Sequence, residues 1–304
     1  MNTLEILLKK PVQIDHLQIK SAVEQNIIID MLRLDKVHPF ISGNKLFKLY
    51  YFIIDAMGSP GKKIITFGGA YSNHLAATAA ACKENNIECI GIVNGTKPKI
   101  LSDILMFCQN LGMHLEFASR DSYQKQMADI LSNKHSHDPG HTIIPEGGFS
   151  DQGVEGAALI ACHYEQYNYS HICCATGSGT TLAGLAKKSP GQQKVLGFSA
   201  VKNLDDLDAK MKCLVYPPGP GSYEIIAGYH FGGFAKKTRA LIEFMNGFYN
   251  DQRIPLDFVY TAKMMYGILD MLQKNYFPGH SRILCIHTGG LLGNLSLNPG
   301  TLDF

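Results

Sequence analysis

The sequence predicts an α/β protein with two domains built on parallel β-sheets. Short apolar segments alternate with longer segments of helical periodicity, first over residues 64–144 and again from residue 171 onward. Such alternation is typical of β-α-β units, which form parallel sheets. Glycine-rich turns follow several of the apolar segments, and 304 residues suffice for two domains.

The first part of the chain has few predicted elements, and the first alternating series follows it. Short strands are predicted at 26–29 and 31–34, and a helix runs from the turn at 43–44 to about residue 57. A Gly-Ser-Pro-Gly break at 58–61 ends this helix. The series comprises strands at 64–67, 89–93, 114–117 and 142–144, with helices at 72–81, 101–111 and 122–131.

A second series forms the rest of the chain. It comprises strands at 171–175, 194–199 and 282–287, with helices at 180–187, 238–249 and 261–272. A linker rich in proline and glycine interrupts it at 217–221. We therefore predict a larger domain made of residues 1–49 and 160–304, with a smaller α/β domain, residues 50–159, inserted into it.

Composition and charge exclude several classes of protein. Hydrophobic residues make up 45% and charged residues 18% of the chain, as in an ordinary globular enzyme. The net charge is +2 and the lysines are interspersed with acids, so we expect no nucleic-acid partner. No apolar run has the length of a membrane span, and Glu5, Lys9 and Lys10 interrupt the N-terminal one. We therefore expect neither a membrane anchor nor a signal peptide.

The eight cysteines indicate a reducing compartment. They show no CxxC spacing, and several lie inside apolar runs, as at Cys173, Cys174 and Cys285. Buried free thiols explain this distribution better than disulfides do. We therefore expect a cytoplasmic protein.

Four residues in one loop are the best candidates for metal ligands: His135, His137, Asp138 and His141. Their spacing matches no ligand pattern that is typical of a metal site. We therefore expect that the protein has no metal.

The segment 41–49 contains a candidate nucleophile. Gly43 and Asn44 form a turn that leads into a helix starting near Lys45. The flanking residues are too apolar for a solvent-exposed face, so we predict that Lys45 or Lys48 points into the protein. A lysine removed from water loses its preference for the charged form, and its neutral amine attacks carbonyl groups. An aldehyde cofactor is held as a Schiff base in this way.

A glycine-rich turn between a strand and a helix is a candidate phosphate site: Thr176, Gly177, Ser178, Gly179 and Thr180. Backbone N–H groups, hydroxyls and the positive end of the helix dipole suit an anion. The turn matches neither the Walker pattern nor GxGxxG nor GxSxG. A purely structural turn stays open as the alternative.

Three other positions lie where such folds bind ligands. Ser72 and Asn73 open a helix behind a strand, so they either cap that helix or bind a substrate carboxylate and a cofactor hydroxyl. Thr288 follows the last strand, at the end of the sheet where parallel strands place ligands. Tyr260 precedes a helix and is either an acid/base group or part of the core.

Five motifs in this order resemble one enzyme family. They are Ser42-Gly43-Asn44-Lys45 with Lys48, Gly68-Gly69 with Ser72-Asn73-His74, Thr176 to Thr180, Tyr260-Thr261 with Lys263, and His287-Thr288-Gly289-Gly290. The chain resembles, from about residue 33 onward, the pyridoxal-phosphate enzymes that group 1-aminocyclopropane-1-carboxylate (ACC) deaminase with D-cysteine desulfhydrase. The resemblance implies fold type II, the tryptophan synthase β-like fold, with parallel sheets and helices on both faces. It also implies pyridoxal 5′-phosphate between the two domains, and a homodimer.

The resemblance assigns a role to each motif. It makes Lys45 the Schiff-base lysine, with Lys48 beside it and not bonded to the cofactor. Asn73 would bond the phenolic oxygen of the cofactor, and residues 176–180 would hold its phosphate. Thr288 would face the pyridine nitrogen.

The substrate is expected to contact a second set of residues. Ser72 and His74, with Asn73, would line the site of the substrate carboxylate. Tyr260 would face the substrate as an acid/base group or a stacking partner. Lys45, Ser72 and Tyr260 therefore form the predicted catalytic set.

The two branches of the family differ at the pyridine nitrogen. The deaminases carry a glutamate directly after the tyrosine and an aliphatic residue at the position of Thr288, whereas this chain has Thr261 and Thr288. A hydroxyl leaves the nitrogen largely neutral, which suffices for removal of an α-proton and expulsion of a β-thiol. Phe234 also lacks the hydroxyl of an active-site tyrosine in the deaminases. Two departures from the family are Ala76, where an arginine is common, and the shortened acidic strand at 33–35.

We therefore predict a lyase that acts on a small amino acid. The predicted reaction is β-elimination from D-cysteine or a similar substrate, with pyruvate, ammonia and sulfide as products. ACC deamination, which opens the ring to 2-oxobutyrate and ammonia, is the alternative. A further alternative is a non-catalytic α/β protein that binds another phosphate ligand.

Overall fold

The computed structural model describes residues 3–132, 140–215 and 222–304. The described residues form two β-sheets. The strands are β1 (Ile14–His16), β2 (Ile28–Leu32), β3 (Lys63–Gly68), β4 (Glu88–Asn94), β5 (His114–Ala118), β6 (Thr142–Ile144), β7 (His171–Thr176), β8 (Lys194–Ser199), β9 (Ser222–Ile226) and β10 (Arg282–Ile286).

The sheet order confirms the α/β prediction. The larger sheet has the order β1-β2-β10-β7-β8-β9, and the smaller one has the order β5-β4-β3-β6. Every pair is parallel except β1 with β2. The last strand, β10, lies between β2 and β7, so the two ends of the chain meet inside the larger sheet. The smaller sheet is built wholly from residues between β2 and β7.

The first α-helix precedes β1, and the other α-helices lie between strands in the chain. They are α1 (Thr3–Leu8), α2 (Lys20–Glu24), α3 (Asn44–Gly58), α4 (Asn73–Glu84), α5 (Asp103–Asn110), α6 (Arg120–Ser132), α7 (Asp151–Ala158), α8 (Thr180–Lys188), α9 (Leu204–Leu214), α10 (Arg239–Gln252) and α11 (Thr261–Gln273). Short 3₁₀ helices follow β2, β6, α7 and β10. None of the described helices has the length and apolar content needed to cross a membrane.

The predicted elements are present, with one correction. The two strands predicted at 26–29 and 31–34 are a single strand, β2, because Asp30 is buried inside it and accepts a hydrogen bond from the Tyr169 hydroxyl at 2.8 Å. Because Asp30 interrupts an apolar run, the sequence pattern predicted two strands where the structure has one. The strands β1 and β9 and the helices α1, α2, α7 and α9 were not predicted, because they are short or weakly apolar. The predicted linker at 217–221 lies wholly outside the described residues.

One apolar core continues from the smaller sheet to the larger one. It includes Ile64 of β3, Phe52 of α3 and Ile172 of β7. The helix α3 runs without a break across the predicted boundary at residue 49. The proposed bounds of the two domains, residues 50–159 and the remainder, therefore stay a prediction.

Glycines in α7 and α8 let three helices touch through their backbones. A Cβ placed on Gly156 of α7 would lie 2.3 Å from the Phe47 carbonyl oxygen of α3. A Cβ on Gly184 of α8 would lie 2.7 Å from the Ala158 nitrogen of α7. Contacts this short exclude any side chain. The packing therefore fixes the part of α3 that carries Lys45 and Lys48.

Gly156→Ala is expected to destabilise the protein by about 1–3 kcal/mol, because the added methyl group forces two backbones apart. Urea unfolding of the purified variant measures this change in the free energy of unfolding. Gly247→Ala is the matched control, because Gly247 also lies in a helix but nothing lies within 4 Å of an added Cβ. That control is expected to be neutral or to gain up to about 1 kcal/mol. Equal effects of the two substitutions would contradict the packing argument.

Candidate active site

The turn before α3 lies directly on the end of β10. Gly43 has a φ of +69°, and a Cβ there would lie 2.0 Å from the Thr288 carbonyl oxygen. The Asn44 backbone N–H donates to the same oxygen at 3.3 Å. Only glycine allows this approach, both sterically and in its backbone conformation. The structure therefore brings the first and last predicted motifs into contact.

The Asn44 side chain connects the lysine to the glycine-rich turn. Its Nδ2 donates to Thr181 Oγ1 at 2.7 Å, in the first turn of α8. Its Oδ1 accepts a hydrogen bond from Lys45 Nζ at 2.7 Å. Asn44 therefore orients both Lys45 and the N-terminus of the helix that follows residues 176–180. Its role was missed, because an asparagine before a helix is ordinarily only a cap.

The two lysines of α3 differ in accessibility. Burial lowers the pKa of Lys45 to about 8, although Asp257 opposes the shift. Burial and then the neighbouring Lys45 lower the pKa of Lys48 further, and its Nζ donates to the Gly147 carbonyl at 3.0 Å. Lys45, with Asn73 and Ser42, lines a cleft of about 190 Å³ that Lys48 does not line. Lys45 is therefore the amine that a ligand in this cleft can reach.

The glycine-rich turn has donors suited to a phosphate. Gly179 has a φ of +85° and precedes the first turn of α8, whose N–H groups lack helical partners. Ser178 Oγ and Thr180 Oγ1 lie 3.0 Å apart. A Cβ on Gly177 would lie 3.2 Å from the Tyr260 ring, so a bare backbone is needed beside that ring. These features fit a phosphate bound at residues 176–180.

Ser72 caps α4, as one of the two interpretations of the sequence predicts. Its Oγ accepts a hydrogen bond from the Leu75 N–H at 3.2 Å. Asn73 lines the cleft with Lys45, and a Cβ placed on Gly293 would lie 3.4 Å from Asn73 Nδ2. The cap uses one lone pair of the Ser72 hydroxyl, so the hydroxyl can still donate a hydrogen bond to a substrate. Its catalytic role stays a prediction.

The His74 ring is buried, and its hydrogen bonds define its tautomer. Thr66 Oγ1 donates its one proton to the Ile144 carbonyl at 3.1 Å, so it accepts from His74 Nε2–H at 2.9 Å. Burial, then Lys45 and Lys48, lower the pKa of His74 to about 3. The ring is therefore neutral, and its buried Nδ1 is an acceptor without a partner among the described residues. The ring cannot donate to a carboxylate in this state, whereas the first N–H groups of α4 can.

Asp257 is a functional residue that the sequence analysis missed. Its buried carboxylate accepts hydrogen bonds from the N–H groups of Val259, Tyr260 and Thr261 at 2.8–2.9 Å, and from the Thr261 hydroxyl at 2.7 Å. These bonds fix the start of α11. An aspartate four residues before a helix is the signal that could have indicated this cap. Asp257 thereby orients Tyr260.

Tyr260 keeps its proton at neutral pH. Burial, and then the carboxylates of Asp257 and Glu146, raise the pKa of its hydroxyl. Its ring packs edge-on against Phe234, with the ring centroids 5.9 Å apart. The hydroxyl is therefore neutral and available as a hydrogen-bond donor, and its role as an acid/base group stays a prediction.

The two threonines of the predicted nitrogen site have different surroundings. The Thr261 hydroxyl accepts from the Asp257 N–H at 2.8 Å and donates to the Asp257 carboxylate, so it is already satisfied. Thr261 is therefore not available as a donor to the cofactor. The Thr288 hydroxyl has no hydrogen-bond partner among residues 3–132, 140–215 and 222–304. Of the two hydroxyls, that of Thr288 is therefore the one that can donate a hydrogen bond to a ligand or accept one from it.

A buried ion pair supports the lysine turn from the other side. Arg33 donates two hydrogen bonds to Asp35, at 2.9 and 2.7 Å. Burial opposes ionisation of Asp35, but the Arg33 hydrogen bond and then the charge of His287 lower its pKa overall. Ser42 Oγ donates to the Asp35 carbonyl at 3.1 Å. The segment 33–35, expected to be a shortened acidic strand, instead leads from β2 into a 3₁₀ helix, and it has a structural role beside the site.

Within the described parts of the chain, no group of three or more ligating side chains is placed to hold a metal ion. His135, His137 and Asp138 lie outside those parts. The expectation that the protein has no metal stays a prediction.

The family is shown by comparison with known proteins. Residues 30–289 match the family model described as "Pyridoxal-phosphate dependent enzyme". The chain belongs to this family. Pyridoxal 5′-phosphate is therefore its cofactor, and the lysine amine, the phosphate cradle and the asparagine in the cleft are groups that suit it.

Two curated relatives span most of the chain. A provisionally named ACC deaminase from Pyrococcus furiosus is 28% identical over 87% of this chain and 85% of its own length. A bifunctional mitochondrial D-cysteine desulfhydrase/ACC deaminase from Arabidopsis thaliana is 29% identical over 83% of this chain and 70% of its own length. Both activities named in the sequence analysis therefore occur among its relatives.

Solved structures show the same fold. The crystal structure of an ACC deaminase homologue is 26% identical, with a TM-score of 0.79, covering 95% of this chain and 92% of that one. Threonine deaminase isoform 2 from Solanum lycopersicum is 18% identical, with a TM-score of 0.63, covering 94% of this chain and 82% of that one. The fold is therefore type II, as the resemblance implied.

Lys45→Ala is expected to lose covalently attached pyridoxal phosphate, whereas Lys48→Ala is expected to retain it, because only Lys45 lines the cleft. Borohydride reduction followed by peptide mass spectrometry locates the modified lysine. Attachment of the cofactor at Lys48 in the unmutated protein would overturn the assignment of Lys45 as the Schiff-base lysine.

The attachment rate is expected to depend on pH through Lys45. Because its pKa is lowered from 10.5 to about 8, the reactive neutral amine is about half formed at pH 8 and nearly fully formed by about pH 9, so the rate is expected to level off there. Stopped-flow absorbance after mixing cofactor-free protein with pyridoxal phosphate from pH 6 to 10 measures this rate. Free Nα-acetyl-lysine is the control, and a protein rate that keeps rising in parallel with it above pH 9 would refute the assignment.

Proposed function

We propose that the protein catalyses β-elimination from D-cysteine or a similar β-substituted amino acid, forming pyruvate, ammonia and sulfide. The observation that carries this proposal is the pair of threonines. Thr261 occupies the position of the deaminase glutamate, and its hydroxyl is bound to Asp257. The hydroxyl of Thr288 remains as a neutral partner for the pyridine nitrogen.

The residues of the site suit this reaction. The cofactor, when bound, supplies the electron sink that makes an α-proton acidic. Lys45, whose pKa is lowered to about 8, holds and moves a proton as readily as it forms a covalent bond. Tyr260 keeps its proton and can donate a hydrogen bond to a leaving thiolate. The N–H groups at the start of α4 can bind the substrate carboxylate.

Aromatic side chains support a thiol substrate over a ring-opening one. Phe234 packs against Tyr260 and offers no hydroxyl to a reacting group. The two rings form an apolar surface, and a sulfur atom makes favourable contacts with such a surface. This arrangement favours the desulfhydrase reaction.

ACC deamination is the second candidate. The names of the curated relatives favour it, since the Pyrococcus protein carries that name and the Arabidopsis protein carries both. The missing glutamate disfavours it, because ring opening without an α-hydrogen needs a stronger electron sink. The non-catalytic alternative has no supporting observation now that the family is shown.

Two further features of the protein belong to this proposal. A reducing, cytoplasmic location is supported by eight free cysteines, six of them buried. A homodimer is proposed from the resemblance alone, and light scattering on the cofactor-loaded protein decides it. Its proposed binding partner is a small amino-acid substrate, and we propose that it binds neither nucleic acid nor a membrane.

Keto-acid release by the cofactor-loaded protein tests the function, with D-cysteine, L-cysteine and ACC assayed side by side. We expect pyruvate from D-cysteine and no 2-oxobutyrate from ACC. Thr288→Val is expected to lower kcat about tenfold by removing one hydrogen bond to the nitrogen, and Thr288→Ser is expected to restore it. Release of 2-oxobutyrate at a rate similar to that of pyruvate would make ACC deamination the better assignment.

A further inference from the structure

The segment 228–236 beside Tyr260 has an unusual backbone. Gly228, Gly232 and Gly233 have positive φ angles of +94°, +94° and +119°. Phe231 and Ala235 also have positive φ angles, +50° and +53°, which are disfavoured for residues with a Cβ atom. A conformation of this kind persists only where tertiary contacts hold it.

Lys263 makes the contact that holds the middle of this segment. It lies on α11 and only 1% of its surface is exposed. Its Nζ donates to the Gly233 carbonyl at 2.8 Å, and the Lys236 N–H donates to the same oxygen at 3.1 Å. Burial lowers the pKa of Lys263 to about 8. An apolar side chain would be easier to bury here, so the lysine needs a reason to be present.

The segment places an aromatic ring against the site. Phe234 follows the anchored Gly233 and packs against Tyr260, yet 57% of its surface is exposed. Burial therefore does not hold Phe234, and the position of its ring depends on its backbone. Phe231, on the other side of Gly233, packs against Tyr266 at a centroid distance of 4.9 Å. Tyr260 thus lies between Phe234 and the glycine-rich turn. The turn approaches the Tyr260 ring so closely that a Cβ on Gly177 would lie 3.2 Å from it.

We propose that Lys263 is a positioning residue that sets substrate specificity by holding Phe234 against Tyr260. The two rings form a wall of the substrate site that accepts a small, soft β-substituent such as a thiol and disfavours a larger or hydroxylated one. The substrate part of this inference rests on the proposed function. The positioning part concerns only the contacts of Lys263 with the segment 228–236.

Hydrogen exchange tests the positioning part without any assay of activity. Lys263→Met keeps the length of the side chain and removes its donor, so the amides of residues 228–236 are expected to exchange at least tenfold faster. Lys210→Met, an exposed lysine of α9, is the control and is expected to leave this exchange unchanged. Unchanged exchange in a folded Lys263→Met protein would overturn the proposal.

A double-mutant cycle tests the specificity part in the cofactor-loaded protein. Phe234→Ala and Lys263→Met are each expected to raise KM for D-cysteine about fivefold with little change in kcat. Because both act through the same ring, the double variant is expected to be no worse than either single one. If the KM increases of the two single variants multiplied in the double variant, Lys263 would not act through the Phe234 ring, and the proposal would be overturned.

The two arms separate failure of this inference from failure of the proposed function. If the unmutated protein turns over no β-substituted D-amino acid, the proposed function is wrong, while hydrogen exchange still decides the positioning role. Should Lys263→Met not fold, both measurements are repeated with Lys263→Leu, which also removes the donor, and Lys263→Arg, which keeps a donor, is the conservative control. With Arg, exchange and KM are expected to stay within about twofold of the original protein, and a tenfold rise in both would overturn the role of the donor.

Discussion

The site depends on the contact between the turn before α3 and the end of β10. There the Thr288 carbonyl lies where a side chain on Gly43 would be, and it accepts the Asn44 N–H at 3.3 Å. This places the Asn44 side chain between Lys45 and Thr181, at 2.7 Å from each. Asn44 thus sets the spacing of Lys45, Thr288 and the first turn of α8. A shift of this turn would move all three together.

Buried charges in the site are each matched to donors or to one another. Asp257 is surrounded by three backbone N–H groups and a hydroxyl, which replace the water that a carboxylate loses on burial. Lys45 and Lys263 lie near it and keep pKa values of about 8, so each is readily neutralised. Lys48, with Lys45 as its neighbour, has a pKa that is lowered further. The same burial therefore creates a nucleophile at one lysine and an anchor at another.

Sequence patterns predicted those parts of the site that are continuous in the chain. A strand, a glycine-rich turn and a helix predict a phosphate site at residues 176–180, since the donors come from consecutive backbone groups. The apolar neighbours in the segment 41–49 predicted that Lys45 or Lys48 is buried, and the family resemblance selected Lys45. The roles of Asp257 and Lys263 could not be predicted from local patterns. Lys263 acts through a contact with the distant Gly233, and an aspartate that caps a helix often has no further function. His74 was expected to bind a carboxylate, but a bond to Thr66 on the preceding strand decides its tautomer.

The sequence by itself determined the alternation of strands and helices, and with it the fold class, because hydrophobic periodicity is a local property of the chain. It also determined which residue types stand at the ends of the strands. Only the tertiary structure decided which of two lysines faces the cleft, which of two threonines is free and where Phe234 lies. Those outcomes depend on single hydrogen bonds and short contacts between distant segments: Thr261 with Asp257, Lys48 with Gly147 and Lys263 with Gly233. No local pattern encodes such contacts, because each arises only after the sheets have assembled.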